Sequence, residues 1–157
     1  MQPRWRRWRR ARRARRYDRV VPKRIRGSRR AHERAAGREA AFERLVDRAL
    51  AGIPAPFRGA LGEVAIVIED EPSDEQLDEN DIEPGGTLYG LYEGVPRTEW
   101  GADWAIVPNR ISLFRFPLED DFPDPVELEA EVRRTVVHEL AHHLGIDDHR
   151  LDELGAG

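Results

Sequence analysis

Positive charge is concentrated at one end of this chain of 157 residues, and that segregation limits where a folded core can form. Residues 1–38 contain 17 Lys and Arg residues and two acidic residues, a balance of +15, whereas residues 39–157 contain nine basic and 28 acidic residues, a balance of −19. Arginine side chains repel one another, and a segment this poor in apolar residues cannot bury enough surface to fold alone. We therefore expect one compact domain over residues 31–157, preceded by a disordered leader over residues 1–30.

The leader contains the run RWRRWRRARRARR at residues 4–16, in which only tryptophan and alanine side chains interrupt the arginines. Its simplest interpretation is a solvated tail that rests on the acidic remainder of the chain. Two alternatives give residues 4–30 a partner: the guanidinium groups neutralise the phosphates of a nucleic acid while Trp5 and Trp8 stack on its bases, or they bind an anionic membrane surface. Translation from a start codon downstream of Met1 is a further alternative.

The composition excludes several classes of protein. The chain has no cysteine, so it offers neither a disulfide scaffold, a Cys-ligated zinc finger nor a thiol nucleophile, and any metal ion must be held by histidine and carboxylate side chains. No stretch approaches the roughly 20 consecutive apolar residues of a membrane span, and the N-terminus lacks the apolar segment of a secretory signal. We expect a cytoplasmic protein without a transmembrane segment.

Hydrophobic periodicity predicts two amphipathic helices with several short strands between them. Apolar residues recur at intervals of three and four from Ala31 to Ala51, and again from Pro125 or Val126 to Leu144. The other segments predict a buried strand at 64–68, an exposed acidic loop with one short helical turn at 69–87, a strand or ribbon at 88–95, strands at 105–107 and 110–116, an acidic, proline-rich connection at 119–125, and a short last helix at 149–154. Glycines within 88–95 indicate that this strand passes close to another element.

The last turns of the second helix carry the motif HELAH, in which His138 and His142 are four residues apart. Side chains at this spacing project from one face of a helix, about 6 Å apart at their bases, so both imidazoles can reach one metal ion. Glu139 is rotated about 100° from His138, which lets its carboxylate approach a water on that ion without being a ligand itself. The spacing therefore predicts a zinc site with Glu139 as the general base.

A tetrahedral zinc ion with an open position needs a third protein ligand, and the helix cannot supply it from the same direction. Gly145 permits the chain to turn back, which would bring Asp148 to the far side of the ion. We favour Asp148 over Asp147 and His149 because it stands at the offset that carries the third ligand in the HExxHxxGxxH motif of metzincins. His143 lies on an adjacent face and is expected to pack or hydrogen-bond beside the ligands.

The stretch from His138 to Asp148 matches HExxHxxGxxD. With the segments LVDRALAGIP, VAIVIEDEP, TLYGLYEGVPRTE and RISLFRFPLE, it resembles the small bacterial zincin-like metallopeptidases that have a minimal zincin fold. The resemblance covers residues 38–155 and implies an α+β fold in which a small mixed β-sheet packs against an N-terminal helix and an active-site helix. It also implies a Zn²⁺ ion, a peptide or protein substrate, and these site residues: the ligands His138, His142 and Asp148, and the catalytic base Glu139.

The same resemblance implies that a peptide substrate lies extended along an edge strand of the sheet. Our candidate for that strand is residues 110–116, which would offer the backbone groups of Ile111, Ser112 and Leu113 to the peptide. Donors to the developing oxyanion would complete the substrate site. The candidate donors are Tyr89, Tyr92 and Arg97.

Three functions compete at this point. A zinc-dependent peptidase is favoured. The second is a metal-dependent hydrolase that the leader tethers to RNA or to a ribonucleoprotein, and the third is a module that binds metal without catalysis. The acidic remainder of the chain would repel phosphate from the catalytic domain itself, which is why the peptidase leads.

Overall fold

The structure is a computed structural model that describes residues 29–99, 109–146 and 148–153. The leader up to residue 28 and the predicted strand at 105–107 lie outside these ranges. The elements are α1 (Arg29–Ala51), α2 (Phe57–Ala60), β1 (Ala65–Glu69), α3 (Asp74–Glu79), β2 (Gly90–Glu93), β3 (Arg110–Phe114), α4 (Arg115–Asp121), α5 (Pro125–His143) and α6 (Asp148–Glu153), with 3-10 turns at Leu61–Glu63 and Arg97–Glu99. The predicted α+β class and both long helices are confirmed.

The core lies where α1, α5 and one face of the sheet meet. The two long helices pack directly on each other, and α5 also contacts β2 and β3. Ile111 and Leu113 of β3 are fully buried in this core. The helix side chains that join them recur at three- and four-residue intervals: Phe42, Leu45, Val46 and Ala49 of α1, and Val132, Val136 and Leu140 of α5. Burial of these stripes is the main force that holds α5 in place against the sheet.

The start of α5 is fixed by a side-chain cap. Oδ1 of Asp124 accepts hydrogen bonds from the backbone N–H groups of Val126 and Glu127 at 2.9 and 3.1 Å. Pro125 occupies the first turn, where a helix has no use for the backbone N–H that proline lacks. These two signals set the register of the helix and hence the direction in which each of its later side chains points.

The end of α5 is fixed by a glycine turn. Gly145 has a φ of +73°, and the N–H groups of Ile146 and Gly145 donate to the carbonyl groups of Ala141 and His142 at 2.8 and 3.0 Å. This is the Schellman arrangement, in which glycine avoids the strain of a left-handed conformation. A Cβ at residue 145 would also lie only 2.6 Å from Cγ2 of Thr98. The turn that leads the chain from α5 to α6 therefore requires glycine.

The sheet is mixed and has the order β1-β3-β2. β1 runs parallel to β3, with Ala65 opposite Arg110, and β2 runs antiparallel to β3, with Tyr92 opposite Ile111. β1 and β2 are thus the edges among the described strands. β2 is the edge that packs against α5.

The prediction that the strand at 110–116 lies at an edge is wrong. β3 is central, and the backbone groups of a central strand pair with both of its neighbours. Ile111, Ser112 and Leu113 are fully buried, so they cannot pair with a peptide substrate. An apolar run looks the same in the sequence of a central strand and of a half-covered edge strand, because strand order depends on tertiary packing.

Other segments differ from the prediction in smaller ways. β1 is an edge strand whose residues are exposed or half-buried rather than a buried strand. The strand predicted at 110–116 ends at Phe114, and α4 replaces its last residues because proline is tolerated in a first helical turn. The short helical turn expected in the acidic loop is α3, and the last predicted helix is α6. Within the described ranges, no helix is both long and apolar enough to cross a membrane.

Candidate active site

A pocket of about 220 Å³ lies between α5 and the edge strand β2. The two elements approach closely because residue 90 is glycine: a Cβ there would lie 2.5 Å from Cγ2 of Thr135. This confirms the prediction of close backbone approach in the segment 88–95. The lining residues are Asn80, residues 88–92 on the strand side, and Thr135, His138, Glu139 and His142 on the helix side.

The rings of His138 and His142 converge at this pocket. Their Nε2 atoms are 3.1 Å apart, and their ring planes meet at 81°. Two nitrogen ligands bonded to one zinc ion at ~2.0–2.1 Å, with a tetrahedral angle between them, are roughly 3.3 Å apart. The separation of the two imidazole nitrogens is therefore close to that of two ligands of one ion.

The carboxylate of Glu139 is held by the neighbouring strand. Its Oε2 accepts a hydrogen bond of 3.0 Å from the backbone N–H of Tyr92. This bond joins the carboxylate to the backbone of β2 at the wall of the pocket. Glu139 thus lines the same pocket as His138 and His142.

Residues 61–157 match the model of a family described as zincin-like metallopeptidase. The chain belongs to the zincin-like metallopeptidase family. The matched segment includes the whole described sheet, the pocket and α5, whereas α1 precedes it. No curated protein matches the chain in a sequence search.

Membership of the zincin-like family implies a zinc ion, and the donors at the pocket fit one. Two imidazole nitrogens converge as described, and nitrogen of this kind is a preferred zinc ligand. Among the described side chains, no group of three His, Cys, Asp or Glu residues gathers around one point. The side chains of Asp147, Asp148 and His149 lie outside the described part of the chain, so the third ligand stays a prediction. α6 begins at Asp148, three positions after Gly145.

His143 belongs to a partly buried hydrogen-bond network next to the pocket. The side chain is fully buried, with Nδ1 at 3.0 Å from the Tyr92 hydroxyl and Nε2 at 2.9 Å from Oε2 of Glu63. The Tyr92 hydroxyl also donates to Oδ1 of Asn109 at 3.0 Å. The expectation that His143 packs or hydrogen-bonds is confirmed: the side chain is buried and both ring nitrogens have partners.

Burial changes the acidity of the tyrosine in this network. It raises the pKa of the Tyr92 hydroxyl from 10.0 to about 12, and the negative charge of Glu99 adds to the effect. The phenol therefore keeps its proton, and its hydrogen bond to Asn109, further into the alkaline range than an exposed tyrosine would.

The three candidate oxyanion donors are all engaged with other side chains. The hydroxyl of Tyr92 takes part in the network above, the hydroxyl of Tyr89 donates to the carboxylate of Asp121, and Nε of Arg97 lies 3.5 Å from Oε2 of Glu63. Tyr89 and Tyr92 line the pocket. Ile111, Ser112 and Leu113 are not among its lining residues.

The sequence did not indicate that Glu63 and Asn109 belong to this network. Glu63 is 80 positions from His143, and Asn109 is 17 positions from Tyr92. No local spacing rule connects residues at such separations, so only the tertiary fold reveals them. The close approach at Gly90, by contrast, could be predicted, because glycine within a strand pattern is itself a local signal.

Proposed function

We propose that this protein is a zinc-dependent peptidase that hydrolyses peptide bonds, with His138, His142 and Asp148 as ligands and Glu139 as the general base. One observation carries the proposal: the Nε2 atoms of His138 and His142 converge to 3.1 Å in the same pocket that Glu139 lines. Membership of the zincin-like metallopeptidase family supports it.

The residues of the pocket divide the chemistry between them. A zinc ion held by His138, His142 and Asp148 would supply a Lewis acid, able to acidify a water molecule and polarise the substrate carbonyl. Glu139 accepts a proton from the attacking water and passes it to the leaving amine as the C–N bond breaks. The N–H of Tyr92 keeps the carboxylate in one orientation, which reduces the entropy that must be lost to reach the transition state.

The edge strand β2 supports an extended peptide as the substrate. The N–H of Tyr92 reaches Glu139 rather than β3, and the carbonyl of Tyr89 accepts from Phe114 of β3. Because backbone groups alternate in direction along a strand, those of Gly90 and Tyr92 face away from β3 and toward the pocket side. A peptide that adds to this edge would lie along the pocket. Because the N–H of Tyr92 is already bonded to Glu139, we propose Gly90 as the substrate-binding position on this strand.

Replacement of Glu139 by glutamine tests the proposed function. Glutamine keeps the acceptor for the Tyr92 N–H but cannot take up the proton, so we expect zinc content to be unchanged and hydrolysis to fall by about 10²- to 10⁴-fold. Hydrolysis can be measured with a fluorogenic peptide library. Glu127→Gln, in the exposed first turn of α5, is the matched control and should hydrolyse at the rate of the unaltered protein.

Two results would contradict the proposed peptidase activity. Equal hydrolysis by the unaltered protein and Glu139→Gln would remove Glu139 as the base. Zinc binding without hydrolysis of any peptide in the library would favour a metal-binding module that does not catalyse.

The charge of the leader favours a second role, attachment to nucleic acid. Residues 1–38 carry a balance of +15, enough to neutralise several phosphates, while the remaining chain is acidic. Deletion of residues 1–28 should leave peptide hydrolysis intact and weaken binding to RNA by about 10³-fold at low salt. Binding assays with RNA and with anionic vesicles distinguish nucleic acid from an anionic membrane as the partner of the leader. Unchanged RNA affinity after the deletion would exclude this role.

A further inference from the structure

Two residues of α5, one turn apart, contact the same residue of β2. Glu139 accepts a hydrogen bond from the backbone N–H of Tyr92 at 3.0 Å, and Nδ1 of His143 lies 3.0 Å from the hydroxyl of the same tyrosine. Residues four positions apart lie on one face of a helix, so a single stripe of α5 makes both contacts. Tyr92 is therefore held at its backbone and at the tip of its side chain by the helix that carries His138 and His142.

The tip of the Tyr92 side chain is fixed from several directions. His143 is fully buried and its Nε2 lies 2.9 Å from Glu63, so its ring is held on both nitrogens. Oδ1 of Asn109 accepts from the Tyr92 hydroxyl and also from the backbone N–H of Val95, each at 3.0 Å. The hydroxyl cannot move without breaking these bonds, and the buried His143 and Asn109 side chains that hold it leave it little room to shift.

The backbone of Tyr92 is the part that touches Glu139. Only two side-chain torsions separate a tyrosine ring from its own backbone, so a fixed hydroxyl restricts where the N–H of that residue can lie. Gly90 permits β2 to approach α5 at this point. The side chain of Tyr92 thus links the network around its hydroxyl to the N–H that bonds Glu139.

We propose that Tyr92 is a positioning residue for the base: His143 and Asn109 fix its phenol, and the phenol keeps the Tyr92 N–H on Oε2 of Glu139. The proposal rests on the proposed function only in naming Glu139 as the base. The coupling between hydroxyl and amide is a property of the fold, and it can be measured without any substrate.

Amide hydrogen exchange, followed by NMR on the full chain, measures this coupling directly. In Tyr92→Phe and His143→Leu we expect the amide of residue 92 to exchange about tenfold faster relative to the amides of Leu91 and Glu93, because its bond to the carboxylate weakens. His143→Asn restores a polar group near the position of Nδ1 and should recover most of the protection. Tyr89→Phe is the matched control: it removes a phenol hydroxyl that binds Asp121 instead, and should leave this ratio unchanged.

A double-substitution cycle separates positioning from general loosening. Glu139→Ala alone should accelerate exchange at residue 92, and the addition of Tyr92→Phe should then accelerate it by less than it does in the unaltered protein. An unchanged ratio in Tyr92→Phe, or equal acceleration at residues 91, 92 and 93, would overturn the proposal.

Kinetics add a readout that depends on the proposed function. In Tyr92→Phe we expect kcat to fall about tenfold while KM and zinc content stay unchanged, since only the orientation of the base is lost. A loss of zinc in this variant would contradict a positioning role. If no peptide is hydrolysed at all, the peptidase proposal fails while the exchange result still decides the coupling.

Discussion

Tyr92 is the residue of β2 that forms hydrogen bonds with two side chains of α5, Glu139 and His143. Its backbone meets Glu139, and its hydroxyl meets His143 and Asn109. The sequence indicated Tyr92 only as a substrate-binding candidate, because its partners on α5 are 47 and 51 positions away. A residue of this kind owes its role to the fold and not to a motif.

The acidity of Tyr92 makes the stability of the fold depend on pH in the alkaline range. Burial and Glu99 raise the pKa of its hydroxyl to about 12, above the value of 10.0 expected in the unfolded chain. Between these values the unfolded chain loses the proton first, so this contribution to stability is complete below about pH 10 and is lost as the pH rises toward 12. Tyr92→Phe should remove that part of the slope. Urea midpoints measured between about pH 9 and 12 test this, and parallel slopes in the two proteins would contradict it.

At the scale of elements, helix ends were predictable and strand order was not. Asp124 and Gly145 act on residues within a few positions, so the cap and the turn that bound α5 leave a local signature. The motif with His138 and His142 is local in the same sense, which is why it could be predicted. β3 is central because β1 and β2 both pair with it, and long-range packing determines which strands pair.

The spacing between α5 and β2 depends on the glycine at residue 90. A Cβ at this position would lie 2.5 Å from Cγ2 of Thr135, whose β-branched side chain has little rotamer freedom in a helix. We expect Gly90→Ala to lower the free energy of unfolding by about 1–3 kcal/mol. Gly62→Ala is the matched control, since a Cβ there has no neighbour within 4 Å. Equal stability of the two variants in urea denaturation would show that the contact at residue 90 is not tight.

At the scale of the whole molecule, the described fold is built mainly from the acidic remainder of the chain. α1 precedes the segment that matches the family, yet it packs along α5 and completes the core beneath the pocket residues. The site stands on a helix and a strand, elements that hold side chains more rigidly than loops do.

The central claim is that His138 and His142 hold one zinc ion, and metal analysis of the purified full-length protein tests it most directly. We expect about one equivalent of zinc in the unaltered protein and in His143→Asn, because His143 contacts Tyr92 and Glu63 instead of the ion. His142→Ala should lose this zinc. Equal zinc in His142→Ala and the unaltered protein, or no zinc in the unaltered protein after incubation with the metal, would contradict the account.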